Sequence, residues 1–368
     1  MSARLHALHA AGQSLWLDYI DRTMLSNGDL TRRIAEDALT GMTSNPTIFE
    51  KALAEGAAYD EQLATVDAAL SDRDAFFVLA TTDVRNACDA FRVVYDRTEG
   101  QDGYVSLEVS PDLARDAAGT VAEARRLWQI VDRPNLMIKV PGTVEGADAI
   151  RQLIADGINV NVTLLFSVEA HARVIEAYIA GLEQRAAAGL PVDRIGSVAS
   201  FFVSRVDSAI DKQLGGMGAE AQVLQGKAAI ANAKMAYRLF QASFSGPRWA
   251  PLAAKGARVQ RPLWASTSTK NPAYRDVIYV EELIGPDTVN TLPPATLEAF
   301  RDHGEVRASV TEHVAEAERA LAALEATGVS LQTVTDTLLA EGLASFEQSF
   351  VTLLAGLARK RAALAATA

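Results

Sequence analysis

Asn135-Leu-Met-Ile-Lys-Val-Pro-Gly-Thr143 reads as a short apolar strand that holds one lysine and ends at a Pro-Gly turn. The branched residues Leu136, Ile138 and Val140 alternate with Lys139, so a period of two places the lysine on the opposite face. A buried cation is costly unless it is paired, neutral or used chemically. From this stretch alone, Lys139 either reaches solvent or a carboxylate, or it is an amine that forms a Schiff base.

Seven further segments show the alternation or the short apolar run that predicts a β-strand. In chain order they cover residues 14–20, 41–45, 103–109, 158–164, 196–203, 262–266 and 287–292. The alternation is clearest in 158–164, where Asn161 and Thr163 lie on the face opposite the branched residues and Leu164 lies with those residues. Eight strands are therefore predicted when the lysine strand is included.

Helical patterns fill the intervals between the strands and continue after the last one. They cover residues 29–39, 47–70, 74–95, 113–131, 144–156, 168–188, 206–244, 306–327 and 331–366. Alternating strands and helices specify a parallel sheet, and eight such units favour an α/β fold of the (β/α)8 TIM-barrel type. An open, doubly wound sheet is the alternative, although no glycine-rich turn follows the first strand. We expect one barrel domain over residues 1–368, with helical additions at about 206–245 and 305–366.

Amino-acid composition and net charge limit the kinds of molecule that this protein is expected to bind. Hydrophobic residues make up 49% and charged residues 22% of the chain, as in a soluble globular protein, and the net charge of −11 argues against nucleic-acid or anionic-membrane binding. No apolar run approaches the ~20 residues that span a bilayer. The single cysteine, Cys88, excludes an intramolecular disulfide and fits a buried thiol in a reducing compartment. We therefore expect a cytoplasmic protein.

The strand ends carry polar side chains on the face that would point into a barrel, where active sites of this fold lie. These residues are Asp18, Asn45, Glu108, Lys139, Asn161, Thr163, Ser200 and Ser266. Each one alone is better interpreted as a helix cap, a turn residue or part of a solvated rim. Their recurrence on seven strands favours a common site, because buried polar groups are costly unless they serve each other or a ligand.

The residue types indicate the chemistry of such a site. One lysine, two carboxylates and several hydroxyl or amide groups suit iminium formation with a ketone and the accompanying proton transfers. The five histidines lie outside the strand ends, so neither a histidine triad nor a histidine-rich metal site is indicated. Arg205 and Lys270 follow the sixth and seventh strands, where barrels often bind phosphate, although each also reads as a solvated surface charge.

Seven of these segments match one family in the right order along nearly the whole chain. They are Ser14-Leu-Trp-Leu-Asp18, Gly41-Met-Thr-Ser-Asn-Pro46, Val105-Ser-Leu-Glu-Val109, Met137-Ile-Lys-Val-Pro-Gly-Thr143, Gly157-Ile-Asn-Val-Asn-Val-Thr-Leu-Leu-Phe166, Ser200-Phe-Phe-Val-Ser-Arg205 and Ala265-Ser-Thr-Ser-Thr-Lys-Asn-Pro272. The chain thereby resembles the transaldolase family in its longer bacterial form. The resemblance implies a (β/α)8 enzyme of the pentose phosphate pathway that needs no cofactor and acts on phosphorylated sugars.

The resemblance also implies a reaction, in which a dihydroxyacetone unit passes from sedoheptulose 7-phosphate to glyceraldehyde 3-phosphate and gives erythrose 4-phosphate and fructose 6-phosphate. By position, Lys139 would be the Schiff-base lysine and Asp18 the acid/base at the carbon–carbon bond that breaks. Glu108 and Thr163 would hold a water for proton transfer during imine formation.

Six further positions would bind substrate if the resemblance holds. Those expected to hold hydroxyl groups of the dihydroxyacetone unit, or to lie beside them, are Asn45, Asn161 and Ser200. Those expected to hold the phosphate are Arg205, Ser266 and Lys270. In some relatives the basic residue lies closer to the serine than Lys270 does to Ser266.

Two rival functions share parts of this pattern. A fructose 6-phosphate aldolase of the same superfamily would cleave without transfer, but such chains are much shorter and resemble this one mainly around the lysine strand. A non-catalytic sugar-phosphate-binding barrel would need neither the lysine nor the two carboxylates. A transferase must also protect its covalent enamine from water, so the additional C-terminal helices are expected to cover the barrel mouth.

Overall fold

The computed structural model describes residues 2–54 and 56–367. Its eight strands run parallel, pair in chain order and close into a barrel through the pairing of the first with the last. They are β1 (Gln13–Asp18), β2 (Leu39–Thr43), β3 (Tyr104–Glu108), β4 (Leu136–Pro141), β5 (Val160–Leu165), β6 (Ser197–Phe202), β7 (Arg261–Ala265) and β8 (Thr288–Leu292). The predicted (β/α)8 barrel is confirmed, and the closed strand order replaces the open sheet that was its alternative.

Helices separate the strands and extend the chain beyond the barrel. Up to β5, those found in the described residues are α1 (Ala3–Ala10), α2 (Arg22–Ser26), α3 (Asp29–Glu36), α4 (Pro46–Ala54), α5 (Asp60–Thr65), α6 (Asp72–Arg97), α7 (Ala117–Val131) and α8 (Val144–Asp156). After β5 they are α9 (Val168–Ala187), α10 (Ser204–Leu214), α11 (Ala219–Gln222), α12 (Ala228–Ser243), α13 (Ala250–Ala253), α14 (Ile278–Glu281), α15 (Pro294–His303), α16 (Val314–Ala326) and α17 (Leu331–Thr367). Within the described ranges, no helix has the length and apolarity needed to cross a membrane.

Two long predicted helices are interrupted. The helix predicted over 47–70 is α4 followed by α5, and Gly56 between them has φ +67°, which a right-handed helix cannot accommodate. The helix predicted over 206–244 is divided into α10, α11 and α12. Its first break contains Gly215, Gly216 and Gly218, residues of low helix propensity. The prediction of two uninterrupted helices was wrong, because the apolar spacing continues across residues that interrupt a helix.

Other differences lie at helix ends and in short helices. The helix predicted over 29–39 stops at Glu36, because Ala38 has φ +53° and Leu39 already begins β2. The helix predicted over 306–327 begins only at Val314, after His313 at φ +55°. The sequence reading missed the short helices α1, α2, α13, α14 and α15, whose few turns give little periodic signal.

The strand register brings three predicted site residues to one level. Glu108 on β3 is the partner of Lys139 on β4, and Lys139 is in turn the partner of Asn161 on β5. Partnered residues on neighbouring parallel strands extend to the same face of the sheet. The three side chains therefore form one row across three adjacent strands.

A separate polar group surrounds a tryptophan at the amino end of the barrel. Trp16 Nε1 donates to Asp102 Oδ1 at 2.8 Å, and Ser14 also donates to Asp102. Arg261 donates to Ser14 Oγ at 2.7 Å. Gly41, the register partner of Trp16, is required here because a Cβ would lie 2.5 Å from the indole ring. These contacts hold Trp16 inside the lower barrel, whereas the predicted site residues lie toward the carboxyl end.

Strand β5 departs from regular alternation just where it reaches the site. Leu164 has φ +59°, and the pairing with β6 shifts register between Val162 and Leu165. The sequence placed Leu164 with the outward branched residues, but its side chain packs against Gly342 of α17, where an added Cβ would lie 3.0 Å from it. That expectation was wrong because the bulge turns Leu164 toward the helix above the barrel.

A buried histidine outside the site makes stability depend on pH. His171 on α9 is fully buried, and burial lowers its pKa from 6.5 to about 4, with the backbone of Ala236 opposing the shift. The imidazole of the unfolded chain binds a proton at a pH where the folded one does not. The free energy of unfolding is therefore highest above pH 6.5 and decreases as the pH falls toward 4. Between about pH 7.5 and about pH 4.5 we expect this group to remove about 2–3 kcal/mol of unfolding free energy.

Denaturant unfolding of the wild type and of His171→Leu at the two pH values measures this contribution. The leucine variant should lose less stability on acidification by about that amount. His9→Leu, at an exposed position, is the matched control and should leave the acid loss as it is in the wild type. Equal acid losses in wild type and His171→Leu would contradict the prediction.

Candidate active site

Lys139 lies in a buried pocket at the carboxyl end of β4, with only 5% of its surface exposed. Its Nζ donates to the backbone oxygen of Ser44 at 3.0 Å and lies 3.3 Å from Glu108 Oε2. On another side, the ring centroid of Phe346 on α17 is 5.9 Å from Nζ. The amine is therefore held between a carboxylate, a carbonyl and an aromatic ring.

Glu108 and Thr163 present buried oxygens that the surrounding protein leaves available. No described group makes a well-aligned hydrogen bond to either carboxylate oxygen of Glu108 or to Thr163 Oγ1, although Lys139 is within ion-pair distance. Burial raises the pKa of the Glu108 carboxyl, the nearby Lys139 charge opposes this, and Asp18 adds to it. The two side chains have free acceptor or donor capacity beside the amine, as proton transfer through solvent would require.

Asp18 occupies the end of β1 and retains a hydrogen-bonded carboxylate. Thr43 Oγ1 donates to Asp18 Oδ1 at 2.7 Å, and Thr43 lies 2.6 Å from Thr291 Oγ1 on β8. Burial raises the pKa of the Asp18 carboxyl, whereas the charge of Lys139 and the hydroxyl of Thr43 lower it. Asp18 is thus electrostatically coupled to Lys139 and also suited to exchange a proton.

Asn161 is fixed by hydrogen bonds from two strands. Its Nδ2 donates to Ser106 Oγ at 2.9 Å, and its Oδ1 accepts from Ser200 Oγ at 2.7 Å. All three side chains are buried. Since both ends of the amide are held, Asn161 presents its remaining N–H in one fixed direction. These three side chains lie beside Lys139 because Lys139 and Asn161 are register partners.

Asn45 has a second role at the margin of the site. Its Oδ1 accepts from the backbone N–H of Ile48 at 2.9 Å and so caps the first turn of α4. Asn45 and Glu108 also line one small cavity of about 10 Å³, together with Phe350 of α17. Asn45 is therefore a helix cap, which was one interpretation of the sequence. It also lines the same cavity as Glu108, which lies beside Lys139.

Ser266 is bonded to Ser204 at the start of α10, and Arg205 is the next residue of that helix. Ser204 N donates to Ser266 O at 3.0 Å, and the two serine hydroxyls are 3.1 Å apart, which joins the ends of β6 and β7. Ser266 has φ +54°, a left-handed conformation in the turn after β7. Arg205 lies over the ring of Phe202 at 5.4 Å, and partial burial lowers its pKa. An arginine at a helix N-terminus is a favourable place for an anion.

Lys270 is not drawn into this group. It is exposed, and its Nζ donates to Ser268 Oγ at 2.6 Å within its own turn. Among the described residues no hydrogen bond or ion pair links Lys270 to Arg205 or Ser266. The interpretation of Lys270 as a solvated surface charge fits these surroundings.

Several side chains of the site were not predicted from the sequence. Thr43 and Thr291 support Asp18, and Ser106 supports Asn161. For Thr43 and Ser106 a signal was available, since Thr43 is the register partner of Asp18 and Ser106 lies two residues before Glu108, whereas Thr291 pairs with Trp16, which was not chosen. Phe346 had no such signal, because it comes from a helix 207 positions after Lys139 and only the folded chain brings it near.

A cavity of about 790 Å³ opens at the opposite, amino end of the barrel. Arg194, Arg258 and Arg261 line it, and each donates to a backbone carbonyl of the 99–101 turn. None of the predicted site residues lines this cavity. Within the described ranges, no three His, Cys, Asp or Glu side chains are grouped so that they could bind a metal. The lysine and carboxylate chemistry lies at the carboxyl end.

Comparison with known proteins agrees with this arrangement. The family model described as Transaldolase/Fructose-6-phosphate aldolase matches residues 15–357. The matched span begins within β1 and ends within α17, so it includes every strand of the barrel and every predicted site residue.

Curated relatives match at half identity over nearly their whole length. The chain is 50% identical to the transaldolase of Frankia alni over 363 residues, which is 98% of each chain. It is 50% identical to the transaldolase of Acidothermus cellulolyticus over 361 residues, covering 98% of this chain and 97% of that protein. It is also 50% identical to the transaldolase of Thermobifida fusca over 366 residues, covering 99% and 100%.

Proposed function

The chain belongs to the transaldolase/fructose-6-phosphate aldolase family, and we propose that it is a transaldolase that carries its three-carbon unit on Lys139. It is an enzyme of the transferase class and acts on phosphorylated sugars. The donor is sedoheptulose 7-phosphate, the acceptor is glyceraldehyde 3-phosphate, and the products are erythrose 4-phosphate and fructose 6-phosphate of the pentose phosphate pathway. No cofactor takes part.

The position of the Lys139 amine is the observation that carries this proposal. Nζ lies at the carboxyl end of a barrel strand, 3.3 Å from the Glu108 carboxylate and electrostatically coupled to Asp18. A neutral amine attacks the ketone carbon, a carbinolamine forms, and loss of water gives the iminium. The positive iminium then accepts the electrons of the carbon–carbon bond that breaks. Binding alone would need neither the buried amine nor the two carboxylates.

The two carboxylates divide the proton transfers. Asp18 removes the proton from the hydroxyl at the bond that breaks, so that the aldose phosphate leaves and an enamine remains on Lys139. The same carboxyl returns that proton when the enamine adds to the acceptor aldehyde. Glu108 and Thr163, to whose side-chain oxygens no described group makes a well-aligned hydrogen bond, relay protons through a water while the imine forms and hydrolyses.

Substrate binding falls to the flanking polar residues. Asn161, with Ser200 behind it and Asn45 at the edge, binds hydroxyl groups of the dihydroxyacetone unit. Arg205 and Ser266 bind the phosphate at the N-terminus of α10, where the helix dipole also favours an anion. Lys270 joins them only if its turn moves, since it bonds to Ser268 in this structure.

Three further properties belong to the same proposal. The chain works as a single barrel domain, with the helices of 206–245 and 305–366 as additions to it. It is located in the cytoplasm, where its one cysteine, buried Cys88, stays a free thiol. Of the two C-terminal helices expected to cover the mouth, α17 approaches Lys139, whereas α16 packs on α12 at the outside of the barrel.

Borohydride trapping with fructose 6-phosphate tests the central step. Reduction of the iminium should leave an adduct on the peptide that contains Lys139, and absence of any adduct would favour a non-catalytic barrel. Consumption of fructose 6-phosphate should depend on added erythrose 4-phosphate. An equal rate without that acceptor would instead indicate an aldolase.

Removing Arg205 should weaken binding of the phosphate and leave the chemistry at Lys139 intact. We expect Arg205→Gln to weaken fructose 6-phosphate binding by about 10- to 100-fold, since a charge-assisted hydrogen bond contributes about 1.5–3 kcal/mol. Borohydride trapping at increasing fructose 6-phosphate measures the change. Adduct formation with dihydroxyacetone, which has no phosphate, should be unchanged, and an equal loss for both compounds would reject the assignment. Lys270→Gln is the matched comparison on the neighbouring turn.

A further inference from the structure

The C-terminal helix α17 crosses the carboxyl end of the barrel and is held on both sides of it. Gly342 packs on Leu164 at the end of β5. Farther along, Ser349 Oγ lies 2.9 Å from Thr47 Oγ1 on α4, and Phe350 meets Phe76 of α6 edge-on at 5.7 Å. These attachments fix the helix over the strand ends.

Phe346 lies between these attachments, on the same face of the helix. Gly342, Phe346 and Phe350 are spaced four residues apart, so one stripe of α17 faces the barrel. Phe346 is 6% exposed, and its ring centroid is 5.9 Å from Lys139 Nζ. The polar contacts of Nζ come from Glu108 on β3 and from Ser44, the residue that follows β2. The helix contributes a hydrocarbon surface instead.

We propose that Phe346 keeps water away from the three-carbon unit on Lys139 and thereby directs that unit to an acceptor aldehyde. This inference rests on the proposed transaldolase function and adds a specificity-determining residue to it. The covalent enamine has two fates. Addition of its carbon to an aldehyde completes the transfer, whereas a proton from water on the same carbon leads to cleavage.

The second fate balances without any further reactant. Water protonates the enamine carbon and gives the iminium, hydroxide then adds to the iminium carbon, and the carbinolamine collapses. The carbon–nitrogen bond breaks, dihydroxyacetone leaves and the free lysine amine returns. The net reaction splits fructose 6-phosphate into glyceraldehyde 3-phosphate and dihydroxyacetone. Excluding water from the closed site suppresses the first of these steps.

The aromatic ring has a second effect that a suitable variant separates. A ring within about 6 Å of a cation stabilises it, so Phe346 also favours the positively charged iminium. Leucine lacks this effect but still fills much of the space with an apolar group. Phe346→Leu therefore tests water exclusion without the aromatic ring, and Phe346→Ala removes both.

The experiment measures the rate of dihydroxyacetone release from fructose 6-phosphate without acceptor, divided by the rate of transfer to erythrose 4-phosphate. Phe346→Ala should raise this ratio about tenfold, which corresponds to about 1.4 kcal/mol between the two barriers. Phe346→Leu should raise it less than about twofold. The matched control is Leu353→Ala, which removes a buried side chain from the same helix on the side that faces α4. Its ratio should stay at the wild-type value.

Each outcome decides between the proposals. An unchanged ratio in Phe346→Ala, with wild-type transfer intact, would overturn the role of Phe346, as would an equal rise in Leu353→Ala. Should the alanine variant not fold, Phe346→Val replaces it, and its ratio should exceed that of the leucine variant. If the wild type forms no adduct and transfers nothing, the proposed function fails before Phe346 is tested.

Discussion

Replacing Lys139 with alanine is expected to abolish both the borohydride adduct and turnover. The amine is the only group in the site that forms the carbon–nitrogen bond of the proposed mechanism, so the loss should be at least about 10³-fold in kcat. Mass spectrometry of the trapped protein and a transfer assay measure the two effects. A residual rate near that of the wild type would refute the Schiff-base role.

The alanine variant should keep its fold because the partner carboxyl can become neutral. Glu108 is buried, and burial already raises its pKa, with the Lys139 charge as the main opposing influence. Without that charge the carboxyl stays protonated to a higher pH, so no unpaired charge remains buried at neutral pH. Because the pKa of this carboxyl is higher in the folded state than in the unfolded state, the variant should lose stability as the pH rises.

Lys139→Arg is the matched control for this prediction. Arginine keeps the positive charge beside Glu108 but stays protonated and forms no Schiff base under these conditions. Both variants should therefore lack the adduct, and Lys139→Arg should lose less stability than Lys139→Ala when the pH is raised. An adduct in either variant would mean that another lysine carries the substrate.

The barrel could be predicted from the sequence because its strands carry strong local signals. Residues 158–164 and the lysine strand alternate with a period of two, and the intervening helices show helical spacing. Closure into a barrel followed from the number of strands. The helix break at Gly56 was missed because apolar spacing does not report a local φ, and the break near Gly215 was missed because that spacing continues across residues of low helix propensity.

The grouping of candidate residues could be anticipated because strand register is regular. Glu108, Lys139 and Asn161 occupy corresponding positions on three consecutive strands, so alternation and register together bring them to one level. Lys270 lacks that constraint. It lies four residues into a turn after Ser266, where neither period nor pairing fixes the direction of a side chain.

The position of α17 over Lys139 could be predicted from the sequence only in general terms. The need to keep water from the enamine predicts that C-terminal helices close the mouth, but it does not distinguish α16 from α17 or identify a residue. The long-range contacts of Gly342 with Leu164 and of Phe346 with Lys139 depend on a bulge in β5 and on helix placement. Neither is encoded in a short motif.

Asp18→Asn is expected to separate cleavage of the carbon–carbon bond from formation of the Schiff base. Asparagine has nearly the same shape and its oxygen still accepts from the Thr43 hydroxyl, but it does not take up the substrate proton. We expect kcat to fall by about 10²- to 10⁴-fold, the usual contribution of a positioned acid or base. The adduct with fructose 6-phosphate should persist, because the iminium forms before Asp18 acts.

Glu108→Gln is the contrasting variant, since Glu108 is proposed to act while the imine forms. Its trapped adduct should accumulate more slowly than in the wild type, whereas Asp18→Asn should accumulate it at a normal rate. Loss of the adduct in Asp18→Asn would show that Asp18 serves imine formation or holds Lys139 in place instead. In the wild type, the acid limb of kcat should lie above the ~3.9 of an ordinary aspartate, because burial raises the pKa of Asp18 and cleavage needs its charged form. Asp18→Asn should remove that limb.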